Sequence, residues 1–100
     1  MLIIYMMSRP KKCRYINCTP CSFYFKPRGI PITDLEEISL SIDELESLCL
    51  ADYEGHYHEN SAQQMRISRA TFGRILEGAR HKVADALVNG KALKIESKKY

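Results

Sequence analysis

The stretch at residues 58–77, HENSAQQMRISRATFGRILE, restricts the fold more than any other part of the chain. Two short helices that cross at a steep angle need a small residue at their contact, a tight turn and apolar residues behind. Ala62 supplies the small contact, and Met65 closes the first helix. In the turn, Ile67 can point inward and Ser68 can cap the second helix. The spacing predicts a helix-turn-helix, and an ordinary helical hairpin is the alternative.

The second helix of this stretch has one apolar and one polar side. Its apolar stripe consists of Phe72, Ile75 and Leu76. The positions that then face outward are Ser68, Arg69, Ala70, Gly73 and Arg74. A recognition helix presents this kind of N-terminal surface to the major groove of duplex DNA.

Charge is distributed unevenly along the chain, although the net charge is only +3. Residues 1–31 carry six Lys and Arg and no acid, whereas residues 32–65 carry nine Asp and Glu and no Lys or Arg. From Arg66 onward the chain is basic again. Two basic segments could meet one polyanion, with the acidic part turned to solvent or to a protein partner. The alternative is a solubilising surface charge.

The opening MLIIYMM is apolar, but its seven residues fall far short of the ~20 that a transmembrane helix needs. It also lacks the basic start and cleavage site of a secretory signal. We therefore expect a cytoplasmic protein that does not enter a membrane. One hundred residues predict one small domain with a single core, and multi-step enzymology in a deep cleft is not expected.

Three cysteines lie close together, Cys13, Cys18 and Cys21, and without an export signal they are reduced thiols or metal ligands. The Cys-x-x-Cys spacing of Cys18 and Cys21 suits one tetrahedral zinc ion. A fourth ligand would have to come from Cys49, His56 or His58. Unbound, reduced cysteines are the default reading, with a zinc site and a thiol redox switch as alternatives.

Proline and glycine exclude a long helix from residues 8–31. Short strands are candidates at residues 12–16 and 22–26. In the second, Phe23 and Phe25 alternate with Tyr24, as in a half-buried edge strand. We expect these aromatic side chains to anchor in the core, with nucleic-acid contact as the alternative.

Two capping boxes follow. Thr33 and Glu36 have the spacing that caps one helical turn, and Ser41 and Glu44 have the spacing that starts a longer helix. Gly55 is placed to end that helix in a left-handed conformation.

The last helix is expected to run from Ser68 to Val88, a length of about 30 Å. Its apolar stripe continues until Asn89-Gly90 stops the helix, through Phe72, Ile75, Leu76, Ala79, Val83 and Leu87. So long a helix needs cover along its length. The candidates are the helix from Ser41, the N-terminal segment and a second copy of the chain in a homodimer.

The predicted organisation has three parts. Residues 1–31 form a basic, Pro-rich segment that packs on the domain, residues 32–95 form a helical helix-turn-helix domain, and residues 96–100 form a flexible basic tail. The fold class is mainly α, with an irregular or short-stranded N-terminal segment.

The run from LSIDELESLCLADYEG through SAQQMRISRATFGRILEGARHKVADALVNGKAL resembles uncharacterised protein family 0251, a small prokaryotic family of predicted DNA-binding proteins. RPKKCRY and FKPRGIPI match the family pattern as well, so that the resemblance covers about residues 9–95. More distantly, the chain is similar to region four of bacterial sigma factors, where a leading helix precedes a helix-turn-helix that reads promoter DNA.

The resemblance implies a DNA-binding regulatory protein. It makes four residues the DNA-facing positions of the recognition helix, Ser68, Arg69, Thr71 and Arg74, and adds Glu59 near the start of the supporting helix. Two features depart from the pattern. Arg66 stands where Gly is usual, and a left-handed backbone there would cost roughly 1 kcal/mol. Cys18-Thr19-Pro20-Cys21 is the other departure.

The sequence contains no nucleophile motif, phosphate-binding loop or paired-histidine helix, and we expect no enzyme activity. The expected function is sequence-specific binding of double-stranded DNA as a transcriptional regulator. The alternative is a zinc-containing or thiol-sensing adaptor of the transcription machinery, in which the acidic residues 34–54 contact a partner such as RNA polymerase.

Overall fold

The structure is a computed structural model that describes residue 16 and residues 19–96. It contains three helices and three short strands, and the prediction of a mainly helical fold with short-stranded parts is confirmed. In chain order the elements are β1 (Tyr24–Phe25), a 3-10 turn (Ile32–Asp34), β2 (Glu37–Leu40), α1 (Ile42–Leu48), a π-helical turn (Cys49–Tyr53), α2 (His58–Met65), α3 (Arg69–Asn89) and β3 (Ala92–Ile95).

The start of α1 is held by the capping box predicted from Ser41 and Glu44. The Ser41 backbone N–H donates to Glu44 Oε1 at 2.9 Å, and the Glu44 N–H donates to Ser41 Oγ at 3.1 Å. The other predicted capping box is wrong. The 3-10 turn follows Pro31 and has no side-chain cap, because Thr33 lies inside the turn and not at its N-cap position.

The connection between α2 and α3 takes only residues 66–68. Arg66 has φ 62° and ψ 43°, so this residue, which has a side chain, adopts the left-handed backbone whose cost was considered above. The Ile67 N–H donates to the Ala62 carbonyl at 3.0 Å, which closes the end of α2. Ser68 caps α3, since its Oγ accepts from the Thr71 N–H at 3.1 Å.

Replacing Arg66 by glycine is expected to stabilise the protein by up to ~1 kcal/mol, because glycine adopts a left-handed backbone without steric cost. Urea denaturation followed by circular dichroism measures the difference in unfolding free energy. Gly90→Ala is the matched control. Gly90 also has a left-handed backbone, with φ 67°, and an added Cβ would meet no atom within 4 Å. The unfolding free energy of the control variant should fall by about as much as that of Arg66→Gly rises, because only backbone strain changes. A destabilised Arg66→Gly would mean that the Arg66 side-chain interaction outweighs the strain.

Two apolar clusters hold the helices together. The first joins α2, α3 and the π-helical turn through Leu50, Ala62, Met65, Phe72 and Leu76, with Ile16 and Ile67 packed against it. The second joins α3, β2 and β3 through Leu40, Ala79 and Ile95, and α1 covers it. Buried residues on both sides of the turn therefore set the placement of α3 against α2.

The sheet has the order β1-β3-β2. β3 pairs antiparallel with β1 and parallel with β2, with Leu40 opposite Ile95. The edge strand predicted at residues 22–26 is confirmed as the two-residue β1. The sequence patterns did not indicate β2 or β3, because each has only four residues and pairs with a segment far away in the chain. The candidate strand at residues 12–16 lies outside the described residues, apart from Ile16.

Some predicted core residues are exposed. Phe23 and Phe25 are 43% and 53% exposed, so they do not anchor in the core. Tyr24 is half-buried, and its hydroxyl donates to Glu37 Oε2 at 2.7 Å. Leu87 is 77% exposed, and the apolar stripe of α3 ends on Ala86 instead. Ala86 lies seven residues after Ala79 and so returns to the same helix face, whereas Leu87 lies about 100° further round.

Within residue 16 and residues 19–96, none of the helices combines the length and apolar character that a membrane span requires.

Candidate nucleic-acid interface

The N-terminal half of α3 presents a polar surface. Phe72 and Leu76 are 0% and 1% exposed, and their burial fixes the rotation of the helix about its axis. The residues on the other side are exposed: Ser68, Arg69, Ala70 and Arg74. Thr71 and Gly73 are partly exposed. The outward positions expected from periodicity therefore lie together at one end of the molecule's longest helix.

A chain of hydrogen bonds runs along this surface. Thr71 Oγ1 accepts from the Ser68 hydroxyl at 2.9 Å and from Arg74 Nη2 at 3.4 Å. The cap that starts α3 is thereby connected, through Thr71, to the guanidinium of Arg74, which lies one turn beyond Thr71. The long contact at 3.4 Å orients the Arg74 guanidinium toward Thr71 on this surface.

The Lys and Arg residues of α3 fall into two groups. Those in its later half are paired with a carboxylate, Arg80 with Asp52 at 2.7 Å and Lys82 with Glu44 at 2.9 Å, and Lys91 just after the helix pairs with Asp85 at 3.2 Å. Arg69 and Arg74 form no ion pair with any residue in the part of the chain that the structure describes. The first turn of α3 also contains no acidic residue. Positive charge is therefore left uncompensated at the N-terminal half of α3.

The Arg80 pair shows how charge is used elsewhere on this helix. Two hydrogen bonds from Arg80 hold the pKa of the Asp52 carboxyl below its ordinary value, and the same contact raises the pKa of Arg80. Asp52 lies in the π-helical turn, so the pair connects that turn to α3. The charge of Arg80 is thus engaged within the protein, although the pair is too exposed to add much stability.

A shallow concavity lies where the start of α2 approaches the start of α3. It is lined by His56, Tyr57, His58, Glu59 and Arg69. The His58 ring stands edge-on against Phe72, with centroids 5.4 Å apart, and His56 Nε2 lies 3.0 Å from Glu54 Oε1. Glu59, which the resemblance implied as a DNA-facing residue, shares this concavity with Arg69. Sequence reasoning missed Tyr57, because no local pattern relates it to a residue twelve positions later.

The candidate zinc ligands are only partly within the described residues. Cys13 and Cys18 lie outside them, and Cys21 is an exposed free thiol. Among the described residues, no three His, Cys, Asp or Glu side chains come together in a group that could hold a metal ion. Cys49 Sγ lies 3.8 Å from Glu54 Oε2, on the π-helical turn.

These observations define a small, mainly helical protein with a three-stranded sheet and an uncompensated cationic helix end. The chain belongs to the family described as Protein of unknown function DUF134, whose model matches residues 4–100. It is 53% identical to the UPF0251 protein of Desulfosudis oleivorans, over 94% of this chain and 68% of the relative. It is 49% identical to a UPF0251 protein of Thermoanaerobacter pseudethanolicus, over 94% of this chain and 80% of that protein.

A third relative, the UPF0251 protein of Desulforudis audaxviator, is 53% identical over 90% of this chain, which spans 59% of its length. No solved structure matches the chain.

Proposed function

We propose that this protein binds double-stranded DNA sequence-specifically through the N-terminal half of α3 and acts, without catalysis, as a transcriptional regulator. In this proposal α2, residues 66–68 and α3 form a helix-turn-helix with α3 as its recognition helix. The observation that carries the proposal is the uncompensated charge of Arg69 and Arg74, on a helix whose later cations are paired with acids. A polyanion supplies the ion-pair partner that no described carboxylate provides to these two side chains.

The side chains on this surface suit base edges in a major groove, which is wide enough to admit an α-helix. Arg74 can donate two hydrogen bonds to guanine O6 and N7, and the hydroxyls of Ser68 and Thr71 can bond to several bases. Ala70 is exposed and small, so it permits close approach and can contact a thymine methyl group.

Selection of bound sequences from random duplex DNA tests the proposal. We expect a consensus whose affinity exceeds that of random duplex by about 10³-fold or more. The logarithm of the binding constant should fall linearly with the logarithm of salt concentration, by about 0.9 per phosphate neutralised. A palindromic consensus would indicate a homodimer.

The same experiment can contradict the proposal. If no sequence is enriched and no salt-dependent binding is measured, the adaptor hypothesis replaces DNA recognition. Pull-down with purified RNA polymerase, with and without zinc or thiol oxidant, is then the next measurement.

A further inference from the structure

Arg69 belongs to two surfaces at once. It is the first residue of α3, and its side chain also lines the concavity at the start of α2. A duplex that lies on the N-terminal half of α3 therefore also faces this concavity. What the concavity offers to that duplex depends on which of its hydrogen-bond donors are already engaged.

Three donors of the concavity remain available. The His56 ring nitrogen is engaged by Glu54. The side chains of Arg69 and Tyr57 make no hydrogen bond within the described part of the chain, and Tyr57 is 81% exposed. The His58 ring is held against Phe72, so its position is fixed by the core. A guanidinium, a phenol and an imidazole thus belong to side chains of residues that line one shallow site.

Arg69 and Arg74 lie on different sides of the exposed face. They are five residues apart, which is about 140° around an α-helix. Arg74 is hydrogen-bonded to Thr71, whereas Arg69 lines the concavity beside α2. Phosphate contacts fix the register of a protein on DNA, and base contacts read the sequence. The two positions on α3 therefore suit these two different tasks.

We propose that Arg69, Tyr57 and His58 together bind one backbone phosphate of the duplex, which leaves Arg74 to read a base edge. This assignment rests on the proposed function, since the phosphate reaches the concavity only when the duplex lies on α3. Arginine is suited to the task because its planar group donates two parallel hydrogen bonds to phosphate oxygens.

Glu59 opposes this phosphate. Its carboxylate lines the same concavity, and a second anion nearby is repelled by it. Glu59→Gln is therefore expected to strengthen binding of all duplex sequences, with the preferred site unchanged. A residue that read a base would instead lose affinity for one sequence only.

A thermodynamic cycle between protein and DNA tests the proposal with the full chain and the selected duplex. Each backbone phosphate near the site is replaced in turn by a neutral methylphosphonate. At one position the replacement should weaken wild-type binding by roughly tenfold or more, and it should cost the Arg69→Ala variant little further affinity. The methylphosphonate at that position should still weaken binding by Arg74→Ala, which is the matched control. Arg69→Ala should also lower the salt slope by about one, and Tyr57→Phe should weaken binding with little change in slope.

Two results would overturn the assignment. If the affinity losses from Arg69→Ala and from the methylphosphonate are additive at every phosphate, Arg69 binds none of these phosphates. If Arg69→Ala instead loses sequence preference at one base pair, Arg69 contacts a base. A wild-type protein that binds no duplex would contradict the proposed function itself, and this assignment with it. Melting temperatures of the variants separate both results from unfolding.

Discussion

Replacing Arg69 and Arg74 together by alanine is expected to lower the affinity for the selected duplex by about 10²- to 10⁴-fold. In the proposed complex, one arginine makes a charge-assisted contact to phosphate and the other a bidentate contact to a base, and such contacts contribute about 1 to 3 kcal/mol each. Neither residue forms an ion pair with the described part of the chain, so the loss should appear in binding and hardly in stability. Fluorescence anisotropy with labelled duplex at fixed salt measures the change.

The control removes the same charge from another surface. Lys26 and Lys94 are both exposed. Lys26 directly follows β1, and Lys94 lies in β3. Lys26→Ala combined with Lys94→Ala should weaken binding only through the general field of the protein, by a few-fold at low salt. If the two double variants behave alike, net charge alone drives binding. Unchanged affinity after loss of Arg69 and Arg74 would direct the search to the basic residues 1–31.

Phe72→Ala is expected to destabilise the protein by about 3 to 5 kcal/mol. The Phe72 side chain is fully buried, packs in the first apolar cluster and supports the His58 ring. Its removal leaves a cavity between α2 and α3, in a domain whose whole stability is on the order of 5 to 15 kcal/mol. Urea denaturation followed by circular dichroism gives the unfolding free energy.

Phe25→Ala provides the comparison for this prediction. Phe25 is 53% exposed in β1, so the same truncation there should cost below about 1 kcal/mol. A loss below this value for Phe72→Ala would mean that the surrounding helices collapse into the space. The placement of α3 would then not depend on this side chain.

Several features of the candidate site could be predicted without the fold. Ser41 and Ser68 are each hydrogen-bonded to a residue three positions later, so short stretches of sequence contain both partners of each cap. The outward positions of α3 follow from the spacing of Phe72 and Leu76. Arg74 and its neighbour Thr71 could for the same reason be assigned to one surface.

Other features have partners that are distant in the chain. β3 pairs with β1 and β2 across more than fifty residues, and no local pattern identified it as a strand. The concavity joins Tyr57 and Arg69 because two helices meet there. The pairing of Arg80 with Asp52 likewise depends on how the π-helical turn lies against α3.

The sequence by itself determined where α1 and α3 begin and which side of α3 is apolar, because capping bonds and helical periodicity act over three or four residues. It did not determine the end of the helix from Ser41, because α1 ends at Leu48 and a π-helical turn follows before Gly55. Only the tertiary structure decided which cations are neutralised. Arg69, Arg74 and Arg80 are the same residue type in the same helix. Of these three, only Arg80 forms an ion pair with a described residue, because the packing of the π-helical turn brings Asp52 to it. Electrostatic interaction depends on distance in space, which is set by the packing of residues far apart in the chain.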